Sequence, residues 1–178
     1  MRTDRLQQEY GIELRWSVFP LHPDTPEEGM ELAEHFAGRE EMIRDMQARL
    51  LQIAATEGLP LTQRTRTCNS RRAQELGKWA ESLVRGDEFR RAVYHAYFVE
   101  GVNIGLIEEL VKIAAAAGLP PAEAEAALTA RIFAAAVDTD WKRAGDLRIT
   151  AVPTHICGGR RLAGFSSYDE FVRLIGES

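Results

Sequence analysis

Cysteine is scarce in this sequence. Only Cys68 and Cys157 occur in 178 residues, and no Cys-x-x-Cys is found anywhere. That excludes a local dithiol, and in a reducing compartment two cysteines so far apart are expected as free thiols. Long apolar runs are missing too. Ile113–Ala117 and Ile132–Val137 fall far short of a membrane span, so no membrane partner is expected. The opening Met1-Arg2-Thr3-Asp4-Arg5 is charged and leads into no apolar stretch of the kind a secretory signal needs, so the expected location is cytoplasmic. Positive charge is in deficit, with a net charge of −5 and no basic block, which argues against nucleic acid. Arg64-Thr65-Arg66 with Arg71-Arg72 is the one local basic cluster and reads as a solvated loop and helix start. The four histidines, His22, His35, His95 and His155, form no H-x-x-H pattern, so no metal is expected. Nor is there a glycine-rich phosphate loop or a G-x-S-x-G elbow.

What is present is ordinary for a soluble globular chain: 45% apolar and 28% charged residues, enough for one good core. Leu6–Tyr10 reads as a helix end stopped by Gly11. Ile12–Phe19 alternates apolar and polar, the period of a half-buried strand. Thr25-Pro26-Glu27-Glu28 reads as a capped helix start. Met42, Met46, Leu50 and Ile53 mark the apolar face of a long helix ended by Gly58. Ala73, Leu76, Ala80 and Leu83 mark a second, closed by Gly86. Asp87 is placed to cap a third, whose face is Phe89, Ala92, Val93, Ala96 and Tyr97. Further helices follow on Leu106–Ala114, after Pro120-Pro121, and on Phe133, Val137, Trp141 and Ala144. Strand signals return at Ile149–Cys157, with Arg160–Gly164 as antiparallel partner across Gly158-Gly159. Ser167-Tyr168-Asp169-Glu170 is a capping box for a last helix. The chain therefore reads as a single α/β domain, 1–178, in which 1–24 and 146–178 bracket a helical insertion over 25–145.

Ile149-Thr150-Ala151-Val152-Pro153-Thr154-His155-Ile156 carries the most information. A proline inside a strand pattern marks an edge, a bulge or a cis turn. Together with Trp16–Pro23, Ala96–Ile104 and the spacing Gly159-Arg160, Gly164, Tyr168, it resembles the DsbA-like thioredoxin-fold family. The similarity runs closest to the branch of 2-hydroxychromene-2-carboxylate isomerases and kappa-class glutathione transferases. The resemblance implies a thioredoxin-like fold with a large all-helical insertion. It also implies a first strand and a Cys-x-x-Cys, or a serine equivalent, ahead of the first helix, where the helix dipole favours a thiolate. Met1–Tyr10 reads as the second half of that helix, so the expectation is an N-terminally truncated version. Losing a central strand would leave backbone groups unpaired. The alternatives are a longer natural protein, direct pairing of the flanking strands, or contacts from a second copy; the first is favoured.

By the same resemblance, Val152, Pro153 and Thr154 bind substrate, the backbone beside Pro153 pairing with it like an added strand; the alternative is an ordinary edge-strand proline. Cys68, just before a predicted helix, is the one candidate nucleophile. Asn69 is a candidate substrate contact, with helix capping by Asn69 or Ser70 as the alternative. His155 is placed to face either the site or the other side of the sheet. The expected function is a thiol-disulfide oxidoreductase family member whose dithiol step is absent from this chain. The alternatives are a glutathione-dependent isomerase or transferase, and a non-catalytic binding module. Partners are then a protein or small-molecule thiol or disulfide, with a homodimer possible. No cofactor is expected except, on the second reading, glutathione.

Overall fold

The structure, a computed structural model, describes residues 2–176. Met1, Glu177 and Ser178, which the expected domain span includes, lie outside the described residues. In chain order come α1 (Arg2–Tyr10), β1 (Met30–Glu31), α2 (Leu32–His35), α3 (Glu40–Thr56), β2 (Arg66–Thr67), α4 (Arg71–Ser82), α5 (Gly86–Phe98) and α6 (Ile107–Ala116). They are followed by α7 (Pro121–Thr129), α8 (Ala134–Asp146), β3 (Thr154–Cys157), β4 (Arg160–Ala163) and α9 (Tyr168–Gly176). This is the helix-dominated α/β composition that the sequence predicts. The chain divides into two compact units, residues 1–21 with 139–178, and residues 22–138.

In the unit built from the two chain ends, β3 and β4 form an antiparallel hairpin with Thr154 opposite Ala163 and Cys157 opposite Arg160. Gly158 and Gly159 both take positive φ, 55° and 79°, the conformation a two-residue hairpin turn demands. The predicted capping box opens α9. The Ser167 N–H donates to Glu170 Oε2 at 2.6 Å, and the Glu170 N–H donates back to Ser167 Oγ at 3.3 Å. Phe171 is buried under the hairpin and Leu6 of α1 is 2% exposed. Two expectations are corrected here. Ile12–Phe19 keeps the predicted alternation of half-buried and exposed residues but pairs with no strand among the described residues. A strand exists only with a partner; here the Val18 N–H donates instead to the Asp140 carboxylate, at 3.0 Å. The strand predicted from Ile149 starts at Thr154: Pro153 has no N–H to give the ladder, and the Val152-Pro153 peptide bond before it is cis.

In the unit of residues 22–138, α4 to α7 pack as a helical bundle around Leu76, Phe89, Leu110 and Leu128. Glu75, 2% exposed, is clamped by two arginines. Arg71 Nε lies 2.7 Å away on the same helix, and Arg131 Nη2, from the α7–α8 link, lies at 2.6 Å. Arg71 also donates to the Ala134 carbonyl at 3.0 Å and meets Asp138 at 2.7 Å. One carboxylate thus pins α4 to the start of α8. Burial pushes the Glu75 carboxyl up, but hydrogen bonds and charge from Arg131 and Arg71 outweigh it, so it titrates below the usual range.

Four details of this unit depart from expectation. Thr25-Pro26-Glu27-Glu28 forms a turn closed by the Gly29 N–H on the Pro26 carbonyl at 3.0 Å, not a helix, because the Thr25 side chain is buried rather than free to cap. Helix α4 is closed not by Gly86 but by Val84, at φ 58°, whose N–H meets the Glu81 carbonyl while the Arg85 N–H meets Ala80. Gly86 opens α5, which puts Asp87 inside the first turn instead of at the cap. On α3, Met42, Met46 and Leu50 are exposed while Ile43 and Ala54 are buried, so the helix turns a different edge of its apolar face inward.

Replacing the clamped carboxylate, Glu75→Gln, is expected to destabilise the protein by about 2–3 kcal/mol in urea denaturation at pH 7, less than a fully buried pair because Arg131 is half exposed. The depressed carboxyl contributes above the ordinary carboxylate range, so the deficit should shrink as pH falls below about 4. A deficit that stays constant down to pH 3 would contradict the clamp.

Candidate functional site

The β3 side of the hairpin is built to present backbone. The Gly164 N–H donates to the Pro153 carbonyl at 2.8 Å, and the Thr154 hydroxyl donates to the Ala151 carbonyl at 2.6 Å. Gly164 sits at φ +83° in open space, so backbone conformation rather than crowding calls for glycine there. These two bonds hold the segment from below and leave Val152 free. Val152 is 42% exposed, and its N–H and C=O have no partner among the described residues. Pro153 is exposed beside it and Thr154 is half-buried. The second edge of β3 pairs with no strand among the described residues.

His155 points the other way. Strand alternation turns it onto Phe171 of α9, ring centroids 4.6 Å apart and edge to face. Burial lowers its pKa, and its Nδ1 is buried without a partner among the described residues.

Cys68 and Asn69 belong to the other unit and are described there. The Asn69 Oδ1 accepts the Arg71 N–H at 2.9 Å, capping α4, while its Nδ2 donates to the Thr25 carbonyl at 2.7 Å. Its side chain therefore serves the fold: it starts a helix and fastens the 23–25 loop. Asn103 does the same from another loop, donating to the Glu27 carbonyl at 2.9 Å and accepting the Gly105 N–H at 2.9 Å. Gly105 has no room for a side chain, since a Cβ would stand 2.8 Å from the Glu27 carbonyl oxygen. Cys68 is half-buried beside this brace. Burial pushes its thiol up, against a weaker downward pull from the Ile104 N–H and the charges of Arg66 and Arg64. A raised thiol holds less thiolate at neutral pH, the opposite of an activated nucleophile. Cys157 likewise forms no disulfide among the described residues.

Sequence reasoning missed the Gly164 tether and the Asn103–Gly105 brace. The first was readable only as a glycine closing β4, and the second only as the Asn-x-Gly spacing at the end of a helix.

A helix-rich α/β chain with an exposed strand-entry proline and a capped terminal helix defines a thioredoxin-type class. A family profile described as the DSBA-like thioredoxin domain matches residues 1–176, and the chain belongs to that family. It is 34% identical over 100 residues to the uncharacterized protein YwbO of Bacillus subtilis, a match covering 56% of this chain and 50% of that protein. The chain thus aligns with about half the length of this curated relative. Among solved structures, a probable DsbA oxidoreductase from Streptomyces coelicolor superposes with a TM-score of 0.88 at 22% identity, covering 99% of this chain and 81% of that one. A 2-hydroxychromene-2-carboxylate isomerase superposes with a TM-score of 0.75 at 21% identity, covering 97% and 83% of the respective chains. At these identities the likeness is one of fold. No helix among the described residues is long and apolar enough to cross a membrane.

The raised Cys68 thiol gives a direct expectation. Iodoacetamide labelling of Cys68 at pH 7.4, followed by peptide mass spectrometry, should be slower than labelling of an unstructured cysteine peptide. Its rate should still be climbing above pH 9, where an ordinary thiol is levelling off. Fast labelling with a midpoint below pH 7 would restore Cys68 as a nucleophile.

Proposed function

We propose that this chain is the substrate-holding part of a DsbA-like thiol-disulfide oxidoreductase. The Val152-Pro153-Thr154 segment takes up an extended, cysteine-bearing peptide by backbone pairing. The observation that carries this reading is the free N–H and C=O of Val152, presented at the surface beside a proline whose own carbonyl is already tied to Gly164. A donor and an acceptor on one exposed residue are what an incoming strand needs, and the pairing is independent of side-chain identity. Family membership supports the thiol or disulfide nature of the ligand. Neither cysteine of this chain is arranged for exchange: they form no Cys-x-x-Cys, and Cys68 is a raised, half-buried thiol. In exchange a thiolate attacks one sulfur of a disulfide, a mixed disulfide forms, the other sulfur leaves as thiolate, and a second thiolate resolves the intermediate. On this reading the chain supplies the holding of the substrate and not the attacking pair.

The test compares an extended peptide carrying one blocked cysteine with the same peptide N-methylated at the residue placed opposite Val152. Loss of the bond that this peptide N–H donates should weaken binding by roughly two- to twelvefold, the equivalent of about 0.5–1.5 kcal/mol. In parallel, insulin reduction by dithiothreitol should run no faster with the chain than without it, and Cys68→Ser should change nothing. Equal affinity for both peptides would overturn the backbone-pairing reading, and turnover that disappears in Cys68→Ser would show that the nucleophile is Cys68 after all.

A further inference from the structure

Two of the four histidines, 13 residues apart in the chain, meet in the unit of residues 22–138. His22 Nδ1, in the loop before Thr25, lies 3.2 Å from His35 Nε2 at the end of α2. The rings cross edge to face at 77° with centroids 4.6 Å apart, so the facing nitrogens lie closer together than the ring bodies. Phe36 stands T-shaped to both, its centroid 5.8 Å from that of His22 and 4.6 Å from that of His35. Neither imidazole makes another hydrogen bond among the described residues. The spacing in sequence gave no sign of this pair; the fold alone creates it.

The distance between the two nitrogens is also the bite of a metal ion. Two metal–nitrogen bonds of about 2.0–2.1 Å that span 3.2 Å enclose an angle of about 100–106°, between the square and the tetrahedral arrangement. In the metal-free chain one facing nitrogen must carry a proton for the other to accept. For a cation to enter, that proton moves to the outer nitrogen of its own ring, Nε2 of His22 or Nδ1 of His35, and none is lost. Neither outer nitrogen is buried without a partner, so water can carry the proton across. Burial and the nearby charge of His35 lower the pKa of His22, and no arginine or lysine contributes to that shift. At pH 7.5 the His22 ring is therefore neutral with its lone pair available. No group of three or more His, Cys, Asp or Glu gathers among the described residues, so the two imidazoles would act alone.

We propose that His22 and His35 are a chelating pair for a divalent cation of the late first row, the class of Zn²⁺, Ni²⁺ and Cu²⁺ that imidazole suits, with water in the remaining positions. The ion fastens the loop at His22 to α2. That helix has four residues and its N-cap Glu31 makes no side-chain bond, so the tie acts on an element that holds itself weakly. Two protein ligands make a weaker site than the three or four of a resident zinc, so binding is reversible and follows the free ion concentration.

Titration calorimetry of the chelator-stripped full chain with Zn²⁺ alone at pH 7.5 tests this. The chain should take up one ion, and its melting temperature should rise with added Zn²⁺. In long-range ¹H–¹⁵N spectra of the histidine rings, His22 Nδ1 and His35 Nε2 should move while His95 and His155 stay in place. His22→Gln and His35→Gln, each checked for folding by circular dichroism, should weaken binding by roughly tenfold or more. His95→Gln, on an exposed position of α5, should match the wild type. Both rings must be neutral to bind, so lowering the pH from 7.5 to 5.5 should weaken binding by roughly ten- to a hundredfold. No uptake up to about 0.5 mM Zn²⁺ at pH 7.5 would overturn the proposal. So would uptake indifferent to both glutamine variants, uptake equally tight at pH 5.5, or ring shifts confined to His95 or His155.

Discussion

A single hydrogen bond, from the Gly164 N–H to the Pro153 carbonyl, organises the segment around Val152 at the start of β3. It occupies the Pro153 carbonyl and carries the β3–β4 pairing one step past the strand ends. Val152 is left outside the ladder with both backbone groups free among the described residues. The remainder of that unit supports this geometry. The Gly158-Gly159 turn sets the register, Phe171 supports the hairpin through His155, and the Ser167–Glu170 box fixes where α9 begins. His155, half-buried on Phe171, belongs to this support.

The unit of residues 22–138 is held by a different kind of constraint. Its bundle is apolar inside, yet the tie between α4 and the α7–α8 link is ionic, with Glu75 between Arg71 and Arg131. Arg131 accepts a positive φ of 51° to make that reach, ending α7 in the same left-handed turn that closes α4 at Val84. The loops at the other end of the bundle are laced by amides, Asn69 to residues 23–25 and Asn103 to Glu27. That lacing explains why Asn69, attractive as a substrate contact, has its side chain already committed.

Much of this could be read from the chain, and the failures share a cause. Features fixed by local chemistry were legible: the Ser167–Glu170 box, the Gly158-Gly159 turn, and the Phe89, Val93 and Ala96 face of α5. Features fixed by what lies across from them were not. The alternation of Ile12–Phe19 survives in its burial, but no partner strand stands beside it. Periodicity located an apolar face on α3 but could not say which edge of it would turn inward, and Ile43 rather than Met46 did. Thr25 has the composition of a cap, yet its hydroxyl is buried without a partner and the chain turns instead. Val84 in a left-handed turn contradicts the propensity of a β-branched residue, so no rule of composition would place it there.

The central claim is that Val152 offers its backbone to an extended ligand. The most direct measurement is amide chemical-shift mapping on the ¹⁵N-labelled chain, titrated with the blocked-cysteine peptide. The account predicts that the Val152 amide shows the largest downfield shift and becomes protected from solvent exchange, while the Phe89 and Leu110 amides stay unmoved. Peptide binding that leaves the Val152 amide unshifted and still exchanging with water would contradict it.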